Sequence, residues 1–445
     1  MSANSILETF ERCIPLRYLI AAIISLIVAS LISQGGAIII ISVMLVSAVG
    51  TIYFISKGKK IVLYLIMLFT FYFYPFHEIF YLNLYNFINP LTIAGLILLY
   101  YIFNIDVQPA MKKHYKYIKI CYILFFIVGI IGSFSTISRL GALNWLFFSL
   151  ITGFVVFKYL MIIDYSTLIR IIDYILIFGV IEFMFGITEY LSGHYFIFSS
   201  LSHRYTSLLG QPLANAFVFG ILIFMTLFRY SVTKRKRYIL FALMYFLAIV
   251  LTLSRGAWLS LLVIIVITIL RYGVRYKYIV LAAVIAIIFI LSPLRNIVTT
   301  RIASDESGKH SSWNVRIESL KIGKDIIQEH PLVGIGLFNS KRYKNEYTYD
   351  KLYGKSSFEN SMYQIIVEVG ILGSIPYFLI MLYTLLVLYR KRGHISHLMF
   401  SMLIYMLIDA ATFNILNIHR QSHFIYWTVL AISLRVASNE NTVNQ

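Results

Sequence analysis

The chain has 445 residues, of which 60% are hydrophobic and only 13% are charged. Soluble domains carry roughly 45–50% apolar and about 25% charged residues, so this composition excludes a soluble enzyme, a disordered chain and a disulfide scaffold. The net charge of +19 is weak evidence for nucleic-acid binding, because basic residues have a topological role in membrane proteins. The composition therefore predicts an all-α polytopic membrane protein.

Hydrophobic segments of the required length recur along the whole chain. A spanning helix needs about 20 mostly apolar residues, and this rule predicts about 12–14 transmembrane helices. The count is a range because the segments at 90–105, 256–271 and 277–292 are short. The candidate segments begin near Pro15, Gly36, Lys60, Pro90, Tyr117, Leu143, Leu168, Pro212, Arg237, Gly256, Tyr276, Asn360, Leu398 and Arg420.

Basic clusters predict the orientation. With fourteen spans they all fall on one side, which the positive-inside rule makes cytoplasmic. Both termini are then cytoplasmic, and the long hydrophilic segment 296–358 faces outward. The clusters are Lys57/Lys59/Lys60, Lys112/Lys113/Lys116, Lys234/Arg235/Lys236/Arg237, Arg271/Arg275/Lys277 and Arg390/Lys391/Arg392.

The chain is predicted to divide into five parts. They are N-terminal transmembrane helices (1–200), central helices with arginine-bearing outer turns (201–295), an extracytoplasmic loop (296–358), C-terminal transmembrane helices (359–437) and a cytoplasmic tail (438–445). The loop is predicted to contain an amphipathic helix that lies against the outer membrane face or caps the helical bundle. Its apolar residues recur at helical spacing, and Pro331 ends it. These residues are Trp313, Ile317, Leu320 and Ile327.

Three arginines from distant segments are predicted to lie on the outer side. Arg204 precedes the segment that begins at Pro212, Arg255 lies where one helix ends and the next begins, and Arg316 lies on the loop helix. A guanidinium group is a planar fork that holds phosphate oxygens in pairs. The three side chains are therefore candidate ligands of an anion, unless each one extends to lipid headgroups or pairs with a local acid.

A polar stripe follows the long loop. Asn360, Gln364 and Glu368 are spaced four residues apart on an otherwise apolar helix, which predicts that they face the bundle interior or a cavity. Glu359 lies at the outer mouth of this helix and is the candidate base, although it is also a plausible helix N-terminal charge. Small residues at Gly370 and Gly373 predict close helix packing.

The sequence predicts no cofactor. Cys13 and Cys121 lie in separate segments and predict neither a disulfide nor a metal site. No P-loop or dinucleotide fingerprint is present. Three acids in predicted helices would form the charge path of a transporter, or would be paired structurally. They are Asp173, Glu182 and Asp409.

Four segments between about residues 200 and 375, a little over a third of the chain, resemble the O-antigen ligase and polymerase family. Any one of them is a weak signal, but four in the family's order around a long outer loop are fairly specific. The segments are 209–216 (Leu-Gly-Gln-Pro-Leu-Ala-Asn-Ala), 253–258 (Leu-Ser-Arg-Gly-Ala-Trp), 330–336 (His-Pro-Leu-Val-Gly-Ile-Gly) and 360–373 (Asn-Ser-x-x-Gln…Glu-x-Gly-x-x-Gly).

The resemblance implies a multi-helix GT-C-like membrane glycosyltransferase with an outer loop over its active site. It implies transfer of a glycan from an undecaprenyl-diphosphate carrier to an acceptor, at the outer face of the bacterial plasma membrane, without metal or nucleotide. Arg204, Arg255 and Arg316 match the arginines thought to hold the diphosphate. The partners implied are the lipid-linked donor, the glycan acceptor, membrane lipids, a flippase and a chain-length regulator, with no nucleic acid.

One departure from the family pattern separates two activities. Ligases of the family typically carry His immediately before the Asn-Ser pair, whereas this chain has Glu359. Polymerases vary more at that position, so the sequence favours a polymerase in which Glu359 activates the acceptor hydroxyl and Asn360 and Gln364 contact the substrate. A ligase that transfers finished glycan is the first alternative, and a transporter or flippase is the second.

Overall fold

The computed structural model describes residues 106–134, 154–193, 205–207, 211–272, 312–337, 339–340, 358, 360–391, 393–412 and 420–439. These residues form helices joined by turns, with no strand among them. The predicted all-α fold is therefore confirmed. The predicted segments near Pro15, Gly36, Lys60, Pro90 and Tyr276 lie outside the described residues.

Ten α-helices occur among the described residues. Several begin close to the positions that hydropathy predicts, including those at Pro212, Arg237 and Arg255. In chain order they are α1 (Lys112–Phe134), α2 (Val156–Ile162), α3 (Tyr165–Ser192), α4 (Pro212–Thr233), α5 (Arg237–Leu251), α6 (Arg255–Tyr272), α7 (Ser312–Glu329), α8 (Ser361–Arg390), α9 (His394–Thr412) and α10 (Arg420–Ser438).

Several of these helices have the length and composition of membrane spans. Among the described residues, four are long and apolar enough to cross a bilayer, namely Pro109–Gly132, Pro212–Thr233, Ser361–Arg390 and His394–Thr412. Large apolar side chains remain exposed along α1 and α8, as expected for surfaces that face lipid rather than water. The chain is thus an all-α polytopic membrane protein.

Helix α9 is the centre of the described bundle. It packs against α4, α6, α8 and α10. The α4 contact is close because Gly220 leaves room for the ring of Tyr405, whose hydroxyl donates to the Ala216 carbonyl at 2.7 Å. A Cβ at Gly220 would lie 1.9 Å from that ring. Small residues serve the same purpose where membrane helices approach each other closely.

Short connections fix the direction of the helices. Only 391–393 separates α8 from α9, and only 252–254 separates α5 from α6, so each pair is antiparallel. The end of α9 meets the start of α6 at Gly256. We call the end of the bundle at which α6 and α8 begin the upper end, and the opposite end the lower end. The described basic clusters at 112–116, 234–237 and 390–391 lie at the lower end.

An ion pair joins three helices at the lower end. Arg229 on α4 donates to both carboxylate oxygens of Asp173 on α3, each at 2.7 Å. The hydroxyl of Tyr238 on α5 donates to the same carboxylate at 2.8 Å. This bidentate geometry gives Asp173 a structural partner.

Helix α8 is broken at Gly370. This residue has φ 62° and ψ −169°, which is not helical and which only glycine adopts readily. The sequence predicts a close helix contact here, and the structure shows a break instead. Because the two halves cannot bond across the break, the carbonyls that end the upper half and the N–H groups that begin the lower half need other partners.

The turn 331–336 supplies these partners from its own backbone. The N–H groups of Ile335 and Gly336 donate to the carbonyls of Val367 and Glu368 at 3.2 and 2.7 Å. In the opposite direction, the N–H groups of residues 371 and 372 donate to the carbonyls of residues 331 and 332 at 3.0 and 3.1 Å. The turn therefore replaces the hydrogen bonds that the break removes.

Glycines allow the two backbones to approach this closely. A Cβ at Gly370 would lie 2.3 Å from the Leu332 carbonyl oxygen, and one at Gly334 would lie 2.5 Å from the Glu368 carbonyl carbon. On the other side of the turn, Gly132 of α1 lies against it, since a Cβ there would be 3.0 Å from the Val333 oxygen. We call the turn 331–336 and the break at Gly370 together the splice.

Helix α7 covers the segment in which the sequence predicts a loop helix, and one of its faces caps the start of α8. Ile322 and Ile326 pack with Ile335, Phe358 and Val367 in a small apolar cluster. The cap is strengthened by a hydrogen bond from the α8 tyrosine at 363, whose hydroxyl donates to the carbonyl of residue 320 at 2.7 Å. The two isoleucines that dock the helix were not part of the predicted apolar pattern.

The splice yields a stability prediction. Gly370→Ala should destabilise the protein by more than Gly193→Ala, because both glycines have positive φ but a Cβ at Gly193 would meet nothing within 4 Å. Backbone strain at a positive φ alone costs about 1–3 kcal/mol. Thermal unfolding of the two purified variants measures the difference, and an equal loss of Tm would show that the splice is looser than the distances indicate.

Candidate functional site

The structure describes the predicted site residues unequally. Arg255 is the first residue of α6 and is exposed. Arg316 lies on α7, of which the structure describes the backbone but not this side chain. Arg204 and Glu359 lie outside the described residues. The proximity of the three arginines therefore stays a prediction. The described segments that flank them define the candidate site.

The turn before α6 has a strained backbone that positions Arg255. Leu253 has φ 54°, an uncommon conformation for a residue with a side chain. The hydroxyl of Ser254 accepts a hydrogen bond from the Ala257 N–H at 3.4 Å, so it caps the new helix. Such strain persists only where the surrounding structure enforces it, and it clusters at functional sites.

Helix α9 enforces the position of this turn through Gly256. A Cβ at Gly256 would lie 2.2 Å from the Thr412 hydroxyl oxygen and 3.3 Å from a carboxylate oxygen of Asp409. Asp409 is only 2% exposed. The acid that the sequence assigned to a possible transport path therefore lies directly beneath the residue that follows Arg255.

The segment 205–207 lies beside the same turn. The N–H of Tyr205 donates to the Leu251 carbonyl at 3.1 Å. Leu251 is four residues before Arg255, and Tyr205 directly follows Arg204 in the chain. The backbone thus brings the segments that carry two of the three predicted arginines next to each other.

The same segment is attached to the upper half of α3. The hydroxyl of Ser207 donates to the Glu182 carbonyl at 2.7 Å, and the Tyr205 hydroxyl lies 3.2 Å from the same oxygen. Gly186 makes room for the tyrosine, because a Cβ there would be 2.3 Å from its ring. Burial first, and then the charge of Glu182, raise the pKa of Tyr205 well above its ordinary value. This hydroxyl therefore remains a donor.

Two buried acids accompany this contact. Glu182 is 0% exposed and Glu189 is 3% exposed. They are seven residues apart and so lie on one face of α3. Glu189 is a residue that we did not single out from the sequence. The sequence feature that could have identified Glu189 is its spacing of two helical turns from Glu182 on an otherwise apolar helix.

The polar stripe on α8 lies above the splice. Asn360 is the N-cap, and its side-chain oxygen accepts from the Tyr363 N–H at 3.0 Å. Gln364 donates to a carboxylate oxygen of Glu368 at 2.6 Å, and both side chains are buried. Glu368 also contributes its carbonyl to the splice. The stripe is thus fixed to the same backbone unit that holds α7.

Gly373, the second of the two glycines predicted to pack closely on α8, lies against α1. A Cβ at Gly373 would lie 3.1 Å from a methyl carbon of Val128. The close helix contact predicted from the sequence therefore occurs at Gly373, immediately below the break.

The three acids that would form the charge path of a transporter lie in different parts of the bundle. Asp173 is paired with Arg229 at the lower end. Asp409 lies at the upper end beside α6, and Glu182 lies on α3 beneath Tyr205. An acid already held by a bidentate arginine is a poor member of a charge path.

These features define an all-α polytopic membrane protein with arginine-bearing segments, buried acids and a polar stripe gathered at its upper end. Residues 239–378 match the family model Wzy_C, described as O-antigen ligase. The match confirms the resemblance to the O-antigen ligase and polymerase family. It extends from α5 into α8 and so includes Arg255, α7, the splice and the polar stripe. A comparison with curated proteins gives no significant match.

Gly256 provides a test of the site geometry. Gly256→Ala should reduce activity strongly, because the new methyl group would press on Thr412 and displace the turn that carries Arg255. Overpacking of this kind costs roughly 1–3 kcal/mol. Adding Thr412→Ala should restore part of the activity, since it removes the nearest atom. Glycan assembly in cells at matched protein levels is the readout, and a double variant as impaired as Gly256→Ala would contradict the contact.

Proposed function

We propose that this protein polymerises undecaprenyl-diphosphate-linked oligosaccharide repeat units during assembly of a surface polysaccharide such as O-antigen, capsule or exopolysaccharide. The observation that carries this proposal lies inside the segment that matches the O-antigen ligase family. There, Glu359 precedes Asn360 and Ser361 at the position where ligases of the family typically have His.

The proposed reaction is a single displacement that needs no metal. The acceptor hydroxyl oxygen attacks the anomeric carbon of the donor sugar, and the bond from that carbon to the diphosphate oxygen breaks. The hydroxyl proton passes to the Glu359 carboxylate, and undecaprenyl diphosphate leaves with the bonding electrons. One displacement inverts the anomeric centre, and the acceptor chain grows.

The arginines stabilise the leaving group in this proposal. Negative charge develops on the diphosphate as its bond to the sugar breaks, and preorganised cations nearby lower the barrier. Arg204, Arg255 and Arg316 are the proposed ligands of the diphosphate, and Asn360 and Gln364 are the proposed contacts to the sugar. The exposed position of Arg255 at the start of α6 supports this role.

The proposed orientation places the upper end outside the bacterial plasma membrane. The described basic clusters lie together at the lower end, and the positive-inside rule assigns such an end to the cytoplasm. Both termini would then be cytoplasmic, and the loop that contains α7 would be extracytoplasmic. Lipid-linked units displayed on the outer leaflet would reach the site from that side.

Ligation is the second candidate function, and the family match favours it equally. A ligase would transfer finished glycan to lipid, wall or protein with the same arginines. The products distinguish the readings. Loss of a polymerase leaves a single repeat unit, loss of a ligase leaves long chains on the carrier, and loss of a flippase strands units inside the cell.

The role of Glu359 can be tested directly. Glu359→Gln should stop chain growth while donor binding stays largely intact, because the amide keeps the shape of the side chain but cannot accept the proton. Purified protein, synthetic lipid-linked repeat units and a gel of the products provide the measurement. Unchanged polymer length in this variant would contradict the assignment of Glu359 as the base.

The arginine site can be tested in cells. Cells that lack the protein and carry Arg255→Ala should lose long chains and retain the single unit, whereas wild type restores them. A lost charge-assisted contact to a phosphate is worth about 1.5–3 kcal/mol, or roughly 10–100-fold in rate. The matched control is Arg170→Ala, which removes an exposed arginine of α3 at the lower end. Long chains that persist on the carrier would favour ligation, and no glycan change would contradict the proposed function.

A further inference from the structure

Helix α7 has an exposed face as well as the face that docks on α8. The docked side contains Ser319, Ile322 and Ile326, which are all at most 3% exposed. Two large apolar side chains point elsewhere, since Ile317 is 36% exposed and Leu320 is 47% exposed. Helix α7 therefore has a second, exposed side that carries apolar residues.

The exposed side chains are sorted around the helix. With 3.6 residues per turn, Ile317, Leu320, Lys321 and Lys324 fall within an arc of about 100°. All four of these side chains are exposed. The exposed acids Asp325 and Glu329 lie outside that arc, on the side toward Ile322. We call the four-residue arc the basic–apolar face. Apolar side chains mixed with lysines are typical of helices that lie in a membrane interface.

The lower half of α8 locates the membrane boundary. The part after the break, 371–390, has about 20 residues and a length of about 30 Å, which is the thickness of the hydrocarbon core. Exposed apolar side chains begin immediately after Gly370, at Ile371 (46%) and Leu372 (49%), and recur to the lower end. Before the break, Val367 and Val369 are fully buried. The hydrocarbon therefore ends close to the splice.

At the splice, the exposed apolar surface of α8 continues onto the segment that follows α7. Leu332 is 60% exposed, and its carbonyl accepts the N–H of Leu372 at 3.1 Å. The exposed apolar row of α8 thus continues through Leu332. The carbonyl of Leu320 bonds to Tyr363, seven residues above Gly370. Seven helical residues rise about 10 Å, so α7 contacts α8 within about two turns of the splice, close to the headgroup layer.

From this placement we propose that the basic–apolar face of α7 binds the phospholipid headgroup layer of the leaflet at the upper end. Leu320 and Ile317 contact the upper acyl-chain region, and Lys321 and Lys324 contact headgroup phosphates. The helix is held between α8 on one side and lipid on the other. The proposal concerns a lipid surface and is independent of the reaction that the site performs.

Fluorescent labels on single cysteines test the proposal in the full chain. The background variant is Cys13→Ser with Cys121→Ala, and the test position is Leu320→Cys. The matched control is Asp325→Cys, which is exposed on the same helix but outside the face. Leu382→Cys, an exposed residue of α8, reports insertion of the protein in the bilayer. The labelled proteins are reconstituted in vesicles of phosphatidylglycerol and phosphatidylcholine that carry nitroxides either near the headgroup or deep in the acyl chains.

The expected result is a blue-shifted emission at position 320 with stronger quenching by the shallow nitroxide than by the deep one. Position 325 should instead be quenched by iodide in the water, and position 382 by the deep nitroxide. Lys321→Gln with Lys324→Gln should reduce the quenching at 320, and more so in vesicles rich in phosphatidylglycerol. Equal lipid quenching at 320 and 325 would overturn the proposal. Shielding of 320 from both lipid and iodide would also overturn it, since protein would then cover the face. None of these readouts depends on glycan transfer.

Discussion

Backbone hydrogen bonding at the break in α8 determines how the upper end is built. A spanning helix normally satisfies all its own N–H and C=O groups, and an unsatisfied group at membrane depth costs several kcal/mol. Helix α8 lacks its internal backbone hydrogen bonds at Gly370, and four hydrogen bonds to the turn 331–336 replace them. Because these bonds join backbones, they allow little relative movement. Helix α7, the polar stripe and the lower half of α8 therefore keep a fixed geometry.

The splice also separates structural from chemical roles within the segments that resemble the family. In the segment 330–336, the glycines at 334 and 336 have positive φ and lie against the α8 backbone, so their role is to allow the splice. In the segment 360–373, Asn360 caps a helix and Gln364 bonds Glu368. These contacts fix the shape of the start of α8, where the proposed substrate contacts of Asn360 and Gln364 lie. The stripe lies above the level where lipid contact begins, which suits a substrate with a lipid tail and a polar head.

Sequence reasoning predicted what depends on local chemistry. Hydropathy located the starts of α4, α5 and α6, because a membrane helix satisfies its backbone within its own segment. The helical spacing around Trp313 likewise located α7. It did not predict the break at Gly370, which depends on pairing with residues more than thirty positions away in the chain. The partner of Asp173 was missed for the same reason, since Arg229 and Tyr238 reach it from two other helices. Periodicity describes one helix at a time, and these contacts involve several.

The arginines of the described helices differ in a way that bears on function. Arg229 is buried and forms a bidentate pair with Asp173. Arg435 is 1% exposed, bonds the side chain of Gln108 and donates to the Ile163 carbonyl at 2.6 Å. Both use their charge to join helices at the lower end. Arg255 is exposed at the upper end, beside a strained turn held by Gly256 and Asp409. A cation that holds helices together must be enclosed by protein, and one that binds a passing diphosphate must be open to it. Among these three arginines, Arg255 is the exposed one, as its proposed role in diphosphate binding requires.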